Sequence, residues 1–229
     1  MASNQRVITE PTEPRPRASA SGLYVQYGCG LCAPEGWMNF DASYTLLFER
    51  TPLVGKLYTK NRRRFPDCVR YGDIVKGLPL PAGSACGIYA SHVLEHLAYE
   101  DCVQALRNTH CLLSPDGIFR LVVPNLETAA RHYLAMYSQN SPFAAEALME
   151  ETYLGKRTRP KGLFALIHAW LNTSAHLWMW DYPAMRHVLE TQGFKRVRRC
   201  RFDDCDDPMF ARVEDPQRFE GALAIEAHR

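Results

Sequence analysis

The sequence predicts an α/β fold with a mostly parallel sheet and helices on both faces, and two observations carry this prediction. Short apolar stretches recur along the chain and end in glycine or in an acidic residue, which is typical of buried strands. Residues 100–113 lie between two such stretches and repeat apolar side chains at helical spacing. A helix between two buried strands forms a βαβ unit, whose strands are parallel.

The strands follow in order along the chain. The first five are predicted at residues 23–27, 37–41, 68–71, 86–91 and 118–123, and the last two, near 195–202 and 222–227, form an antiparallel hairpin. The clearest helix begins with Glu100 and Asp101, whose charges favour a helix N-terminus, and it ends at the turn of residues 114–117. A further helix, residues 185–191, precedes the sixth strand.

The organisation of the chain is a tail followed by one domain. Residues 1–21 contain three prolines and no aromatic residue, so we predict a flexible tail. Residues 22–229 alternate apolar stretches with helical patterns and are predicted to form a single domain. Within it, residues 126–180 are helical and rich in aromatic residues.

Composition excludes several classes of protein. The chain has 229 residues, with 27 Lys and Arg against 25 Asp and Glu, and this balance disfavours a nucleic-acid coat or a polybasic membrane binder. No apolar run approaches the roughly 20 residues that span a bilayer. The eight cysteines are too few for a disulfide scaffold, and no charged-then-apolar leader opens the sequence. We therefore expect free thiols and a cytoplasmic protein.

Four polar or glycine-rich features follow successive predicted strands. They are the turn of Gly28 and Gly30, then Asp41, then Asp73, then the pair Ser91 and His92. The carboxyl ends of parallel strands are where ligands bind in open α/β sheets. Glycines allow a ligand to approach the backbone, one acid suits a ribose diol, and the next can accept from an adenine amino group. The series predicts a pocket for an adenosine-like ligand.

These motifs resemble the class I S-adenosylmethionine-dependent methyltransferases, in the branch called type 11. The matching text is YGCG at 27–30, GWMNFD at 36–41, GDI at 72–74, LPLP at 78–81, IYASHVLEHL at 88–97, LSPDG at 113–117 and GF at 193–194. The resemblance covers about residues 22–229, and SHVLEHL is its most specific part. It implies a Rossmann-like sheet of seven strands and, as the activity, methyl transfer from S-adenosylmethionine.

The resemblance also assigns residues to roles. The turn of Tyr27, Gly28, Cys29 and Gly30 holds the methionine and ribose portion of the cofactor, and Asp41 with Ala42 binds the ribose hydroxyls. Gly72, Asp73 and Ile74 hold the adenine, and Ser91 and His92 line the methyl-transfer side. The acceptor is expected to be an O, N or C nucleophile on a small molecule or glycan, bound by an insertion at about 126–180 between the fifth and sixth strands.

Aromatic and histidine residues near the end of this insertion are the candidates for acceptor binding. We expect acceptor contacts from His168, Trp178, Trp180 and Tyr182. If the acceptor is a hydroxyl, a general base helps the transfer, and His92 or His176 is the candidate.

One departure from the family pattern concerns the connection after the glycine turn. Only six residues separate Gly30 from Trp37, whereas a parallel crossover normally takes a dozen or more and contains a helix. The helix is therefore expected to be missing or nearly so, and Cys32 or Pro34 is expected to line that side of the cofactor instead.

Alternative functions come from other features of the sequence. A non-catalytic binding protein could keep the same sheet. Basic clusters at 62–64, 156–161 and 195–201 could serve an RNA methyltransferase, although no aromatic platform interleaves with them, so a nucleic-acid partner is disfavoured. His92-x-x-Glu95-His96 matches an inverted zinc-peptidase motif. Cys29 and Cys32 match a redox or zinc pair. The principal interpretation assigns no metal ligand.

Overall fold

The computed structural model describes residues 22–51, 63–158 and 175–229. The strands are β1 (Leu23–Tyr27), β2 (Trp37–Asp41), β3 (Arg70–Tyr71), β4 (Ala85–Ser91), β5 (Leu113–Pro124), β6 (Lys195–Arg199) and β7 (Ala222–His228). The helices are α1 (Tyr44–Glu49), α2 (Tyr99–Leu112), α3 (Leu126–Ser138), α4 (Ala144–Glu151), α5 (Tyr182–Thr191) and α6 (Pro216–Phe219), with short 3₁₀ turns at Leu94–His96 and Phe210–Arg212. The predicted tail, residues 1–21, lies outside the described residues.

The seven strands form one sheet in the order β3-β2-β1-β4-β5-β7-β6. The first five strands in this order pair in parallel, and β7 runs antiparallel to both β5 and β6. The predicted α/β fold with its antiparallel pair at the C-terminal end is confirmed. The order reverses beside β1, so the carboxyl ends of β1 and β4 border the crevice where ligands bind in open sheets.

The bounds of several strands differ from the prediction. β1 and β2 match it residue for residue, but β3 begins at Arg70 rather than residue 68, because Val69 donates to the Pro66 carbonyl in a turn. β6 ends at Arg199 rather than 202. The turn predicted at 114–117 is an irregular segment inside β5, which pairs with β4 on both sides of it and holds Asp116 at φ 62°.

The connection from β1 to β2 contains no helix, as the residue count predicts. Tyr24 pairs with Trp37 in the parallel ladder, and the chain returns through turns at residues 28–36. Cys32 donates to the carbonyl of Cys29, 3.0 Å away, in the first of these turns. This side of the sheet therefore lacks the helix that usually covers it.

The two faces of the sheet are covered differently. Alternate strand residues such as Val25, Ile88 and Leu121 face one side and pack against the long helices α2 and α5. Tyr24, Trp37, Tyr89 and Val122 face the other side and pack against Phe210 and Val213 from the β6–β7 connection. That connection, with its 3₁₀ turn and α6, covers the face left open by the helix-free β1–β2 connection.

A buried arginine joins this covering segment to the sheet. Arg120 of β5 is 1% exposed and points to the same face as Val122. Its guanidinium donates to Glu214 at 2.6 Å, to Asp204 at 2.9 Å and to Glu226 of β7 at 2.6 Å. Because a buried charge needs paired and hydrogen-bonded partners, this network holds the covering segment in one position. Among the described residues, no helix is long and apolar enough to cross a membrane.

Candidate functional site

The turn after β1 brings the backbone to the carboxyl edge of the sheet. Gly28 and Gly30 have φ of 63° and 55°, which glycine adopts without the steric cost of a side chain. A Cβ at Gly28 would lie 2.2 Å from Val93, whereas a Cβ at Gly30 would meet nothing within 4 Å. Gly28 thus allows close packing against the segment after β4, and Gly30 faces open space. The ring of Tyr27 lies in the core, so only its main chain reaches this edge.

Asp41 connects the end of β2 to the glycine turn. Its Oδ2 accepts from Gly30 N at 3.0 Å, and its Oδ1 accepts from Ser43 N at 2.8 Å. The carboxylate is almost fully buried. Because a carboxylate offers about four acceptor positions, Asp41 keeps acceptor capacity after these two bonds. Ala42, which follows it, is exposed at the same edge.

The third strand adds a second carboxylate to this edge. Gly72 N donates to the Asp41 carbonyl at 3.1 Å, which fixes the end of β3 beside the end of β2. Asp73 Oδ1 accepts from Val75 N at 3.0 Å, and Lys76 lies 3.2 Å from Oδ2. The side chain of Ile74 is buried in the core. The two predicted acids therefore follow neighbouring strands at one edge.

The end of β4 carries a histidine with both ring nitrogens engaged. His92 has φ 54°, and its Nε2 lies 3.0 Å from the Arg218 carbonyl while its Nδ1 lies 3.3 Å from Glu95 Oε1. The Glu95 carboxylate beside the ring raises the pKa of His92, against the opposing effect of burial. Ser91 is buried, and its carbonyl accepts from Arg218 at 3.2 Å.

A cavity of about 360 Å³ opens beside His92. Its walls come from the ends of β4 and β5, from α3 and the segment after α4, from residues 176–179, and from the start of β7. The lining residues are His92, Pro124, Asn125, Thr128, Ala129, Glu151, Tyr153, His176, Met179, Glu220, Gly221 and Ala222. Both histidines predicted as candidate bases line it. Burial lowers the pKa of His176, partly offset by the Glu95 carboxylate.

The residues predicted to bind the acceptor are scattered. Trp180 is 1% exposed and packs in the main core, so its ring lines no wall of this cavity. Tyr182 lies at the start of α5, where its hydroxyl donates to the Val197 carbonyl and Arg199 covers its ring. Trp178 is exposed and contacts Tyr99. His168 lies outside the described residues.

Several residues that line the cavity were not predicted from the sequence. Asn125 follows β5 directly, and the strand-end rule applied to the first four strands could have found it. Thr128, Glu151 and Tyr153 lie on or after helices α3 and α4, and Glu220 precedes β7. Their sequence positions carry no signal of their own, because only the fold brings these segments together.

The structure shows the geometry of the zinc-peptidase motif and of the cysteine pair that the sequence contains. His92-x-x-Glu95-His96 does not lie on one α-helix, because His92 is in the left-handed region and only Leu94–His96 form a 3₁₀ turn. The ring of His96 faces the ring of His176, and the two centroids are 5.0 Å apart. Cys29 is buried and Cys32 is exposed, and both are free thiols.

The strand order with an antiparallel seventh strand is that of the class I S-adenosylmethionine-dependent methyltransferase fold, which the sequence resemblance implied. The glycine turn and the two acids lie at the edge where this fold places its ligand. No family model matches the chain, and no curated protein matches it significantly.

Several solved structures are similar to this chain. A SAM-dependent methyltransferase from Archaeoglobus fulgidus is 17% identical, with 91% of this chain and 86% of that chain covered and a TM-score of 0.45. One from Mesorhizobium loti is 20% identical, with 90% of each chain covered and a TM-score of 0.46. A possible histamine N-methyltransferase from Thermotoga maritima is 13% identical, with 92% and 84% covered and a TM-score of 0.47. The fold assignment rests on the strand order and not on these matches.

Proposed function

We propose that this protein is an S-adenosylmethionine-dependent methyltransferase that acts on a small molecule or glycan. The observation that carries the proposal is the hydrogen bond from Gly30 N to Asp41 Oδ2. It joins the glycine turn to the acid expected to bind the ribose hydroxyls, at the sheet edge where the strand order reverses. The residues fit an adenosine group, because Gly30 faces open space and Asp41 keeps free acceptor positions.

Each residue at this edge has a part in holding the cofactor. Asp41 would accept from the ribose hydroxyls, and its two backbone hydrogen bonds hold the carboxylate in place before binding. Asp73 would accept from the adenine amino group, held in place by Val75 N. When bound, S-adenosylmethionine supplies a methyl group that is already activated. The protein therefore acts mainly through alignment, which contributes roughly 7–11 kcal/mol in well-oriented reactions.

The cavity beside His92 is the proposed acceptor site. Its volume of about 360 Å³ lies within the range of small-molecule sites. Asn125, Thr128, Glu151 and Tyr153 give it polar groups that could orient a hydroxyl-bearing or amine-bearing acceptor. We propose that His92 and His176 contact the acceptor there. His92 is the weaker candidate for a general base, since both of its ring nitrogens are engaged.

Calorimetric titration with S-adenosylmethionine tests the cofactor site. The wild-type protein should bind, and Asp41→Ala should weaken binding at least about tenfold, or about 1.4 kcal/mol. Asp73→Asn, at a less buried acid, should also weaken it. Asp206→Ala is the matched control, because Asp206 is exposed in the β6–β7 connection, and it should leave the affinity unchanged. Folded wild-type protein that binds nothing at millimolar cofactor would exclude the proposal.

One experimental result would distinguish a non-catalytic binding protein from the proposed enzyme. Such a protein would bind the cofactor but would form no S-adenosylhomocysteine when methyl-labelled cofactor is incubated with cell extract. The proposed enzyme should transfer label to an extract component, and Asp41→Ala should abolish the transfer in parallel with binding.

A further inference from the structure

Glu95 is a buried carboxylate that faces His92 on one side and has an unpartnered oxygen, Oε2, among the described residues. It is fully buried in the 3₁₀ turn after β4, and neither carboxylate oxygen receives an aligned hydrogen bond from the described residues. His92 Nδ1 lies 3.3 Å and His96 Nε2 lies 4.0 Å from Oε1. An ionised carboxylate in such a place is costly unless it is paired or binds a metal.

His96 is held in the orientation of a metal ligand. Its Nδ1 lies 3.1 Å from the Ala175 carbonyl, which can only accept, so Nδ1 carries the proton. The neutral ring then has its lone pair on Nε2, on the side of Glu95. Metal-binding histidines commonly donate their other N–H to a backbone carbonyl in this way.

His176 completes the group. Its Nδ1 is buried and has no hydrogen-bond partner within the described parts of the chain. One ligand atom from each of Glu95, His96 and His176 lies within 4.8 Å of the others. Ligand atoms around a tetrahedral zinc are roughly 3.4 Å apart for bonds of about 2.1 Å, so side-chain shifts on the order of 1 Å would close the site.

We propose that Glu95, His96 and His176 bind a divalent transition-metal ion, with Zn²⁺ as the occupant. Two imidazoles and one carboxylate are a ligand set that zinc accepts, and they leave at least one coordination position open. The ion neutralises Glu95. It also ties residues 175–178 to the turn after β4, where Leu177 N and Trp178 N already donate to the Glu95 carbonyl at 2.7 and 3.2 Å.

The site is distinct from the zinc-peptidase motif in the sequence. That motif would use His92 and His96, whereas the structure places His176 against His96 and engages His92 Nε2 with the Arg218 carbonyl. Since His176 also lines the cavity beside His92, the ion would fix one wall of that cavity, and a zinc-bound His176 would contact the acceptor without acting as its general base.

Zinc binding to purified full-length protein tests the site, first by elemental analysis and then by competition with a chromophoric chelator. We expect one equivalent of Zn²⁺, with affinity reduced at least about tenfold in His96→Ala and in His176→Ala. His132→Ala is the matched control, because His132 is exposed on α3 and pairs with Glu151. His92→Ala should keep the metal.

Two measurements keep the test valid if a variant folds poorly. Zn²⁺ should raise the melting temperature of the wild-type protein but not that of Glu95→Gln. Co²⁺ in the site should show no thiolate charge-transfer band, which separates it from zinc on exposed cysteines. Absence of stoichiometric zinc, or loss of zinc in His92→Ala but not in His176→Ala, would overturn the proposal.

Discussion

Gly28 and Gly30 share a left-handed backbone but differ in what surrounds them. A side chain at Gly28 would collide with Val93, while one at Gly30 would project into the space assigned to the cofactor. The first glycine therefore serves packing, and the second is the one that we propose to face the cofactor.

Alanine substitutions should separate these two roles. Gly30→Ala should cost about 1–2 kcal/mol of stability from its positive φ and should weaken cofactor binding at least tenfold. Gly83→Ala, also at positive φ but before β4 at the opposite edge, should cost a similar amount and leave binding intact. Gly28→Ala should destabilise more than either. Urea unfolding and calorimetry measure the two effects, and unchanged cofactor binding in Gly30→Ala would count against the site.

Cysteine labelling tests whether the helix-free connection after β1 lines the proposed cofactor site. Burial, with a smaller effect of Asp41, raises the pKa of Cys29 to about 12, so the reactive thiolate form is scarce at pH 8. Cys32 and Cys111 are exposed. Iodoacetamide should label both and spare Cys29, and S-adenosylhomocysteine should protect Cys32 but not Cys111. Equal labelling of Cys32 with and without ligand, read by mass spectrometry, would exclude Cys32 from the cofactor wall.

At the scale of elements, the connection between β6 and β7 takes over the role of a missing helix. Phe210 is fully buried in its 3₁₀ turn and lies 5.4 Å from the ring of Trp37 and 6.5 Å from that of Tyr24. These contacts close the sheet face that the short β1–β2 connection leaves open.

Truncating the Phe210 side chain should therefore lower the free energy of unfolding substantially. Phe210→Ala should lose about 3–5 kcal/mol of unfolding free energy, the usual range for a buried phenylalanine. Phe143→Ala, at an exposed phenylalanine before α4, should lose less than about 1 kcal/mol. Denaturant unfolding measures both, and similar losses in the two variants would show that the connection does not stabilise the face.

The elements that could be predicted are those with a local pattern in the sequence. β1, β2 and the absence of a helix between them follow from apolar runs and a residue count. β3 is predicted too long because the apolar Val69 is buried but lies in a turn, and apolarity indicates burial rather than strand pairing. Cys68, also counted as apolar, is exposed. The role of the β6–β7 connection was not predictable, since Phe210 and Val213 lie in a polar, acid-rich stretch without a period.

In the candidate site, too, residues at strand ends were predictable and contacts between distant segments were not. Strand-end positions identified both acids and the glycine turn, because the carboxyl ends of parallel strands share one edge. The aromatic stretch gave no such rule, so Trp180 was assigned to the acceptor although it lies in the core. The pairing of His96 with His176 depends on a contact between distant segments, which spacing cannot show.

At the scale of the whole molecule, several arginines of the basic clusters pair with acidic side chains. Arg198 of β6 lies 3.1 Å from Asp204 and 2.9 Å from Glu226, and Arg199 lies 3.1 Å from Glu127. Paired arginines are poorly available to phosphates. The proposed small acceptor agrees with this charge arrangement.

Binding to a single-stranded RNA should accordingly be weak. At physiological salt we expect a dissociation constant above about 100 µM, beyond the weak end of non-specific binding. Fluorescence anisotropy measures it. Micromolar affinity that falls steeply with salt would instead favour an RNA acceptor.

A crystal structure of the complex with S-adenosylhomocysteine would show whether the proposed edge binds the cofactor. We expect ribose hydroxyl oxygens at hydrogen-bond distance, about 2.7 Å, from the Asp41 carboxylate, with the adenine beside Asp73 and the sulfur towards the cavity at His92. A ligand bound elsewhere on the chain, or no ligand in crystals soaked at saturating concentration with this edge open to solvent, would contradict it.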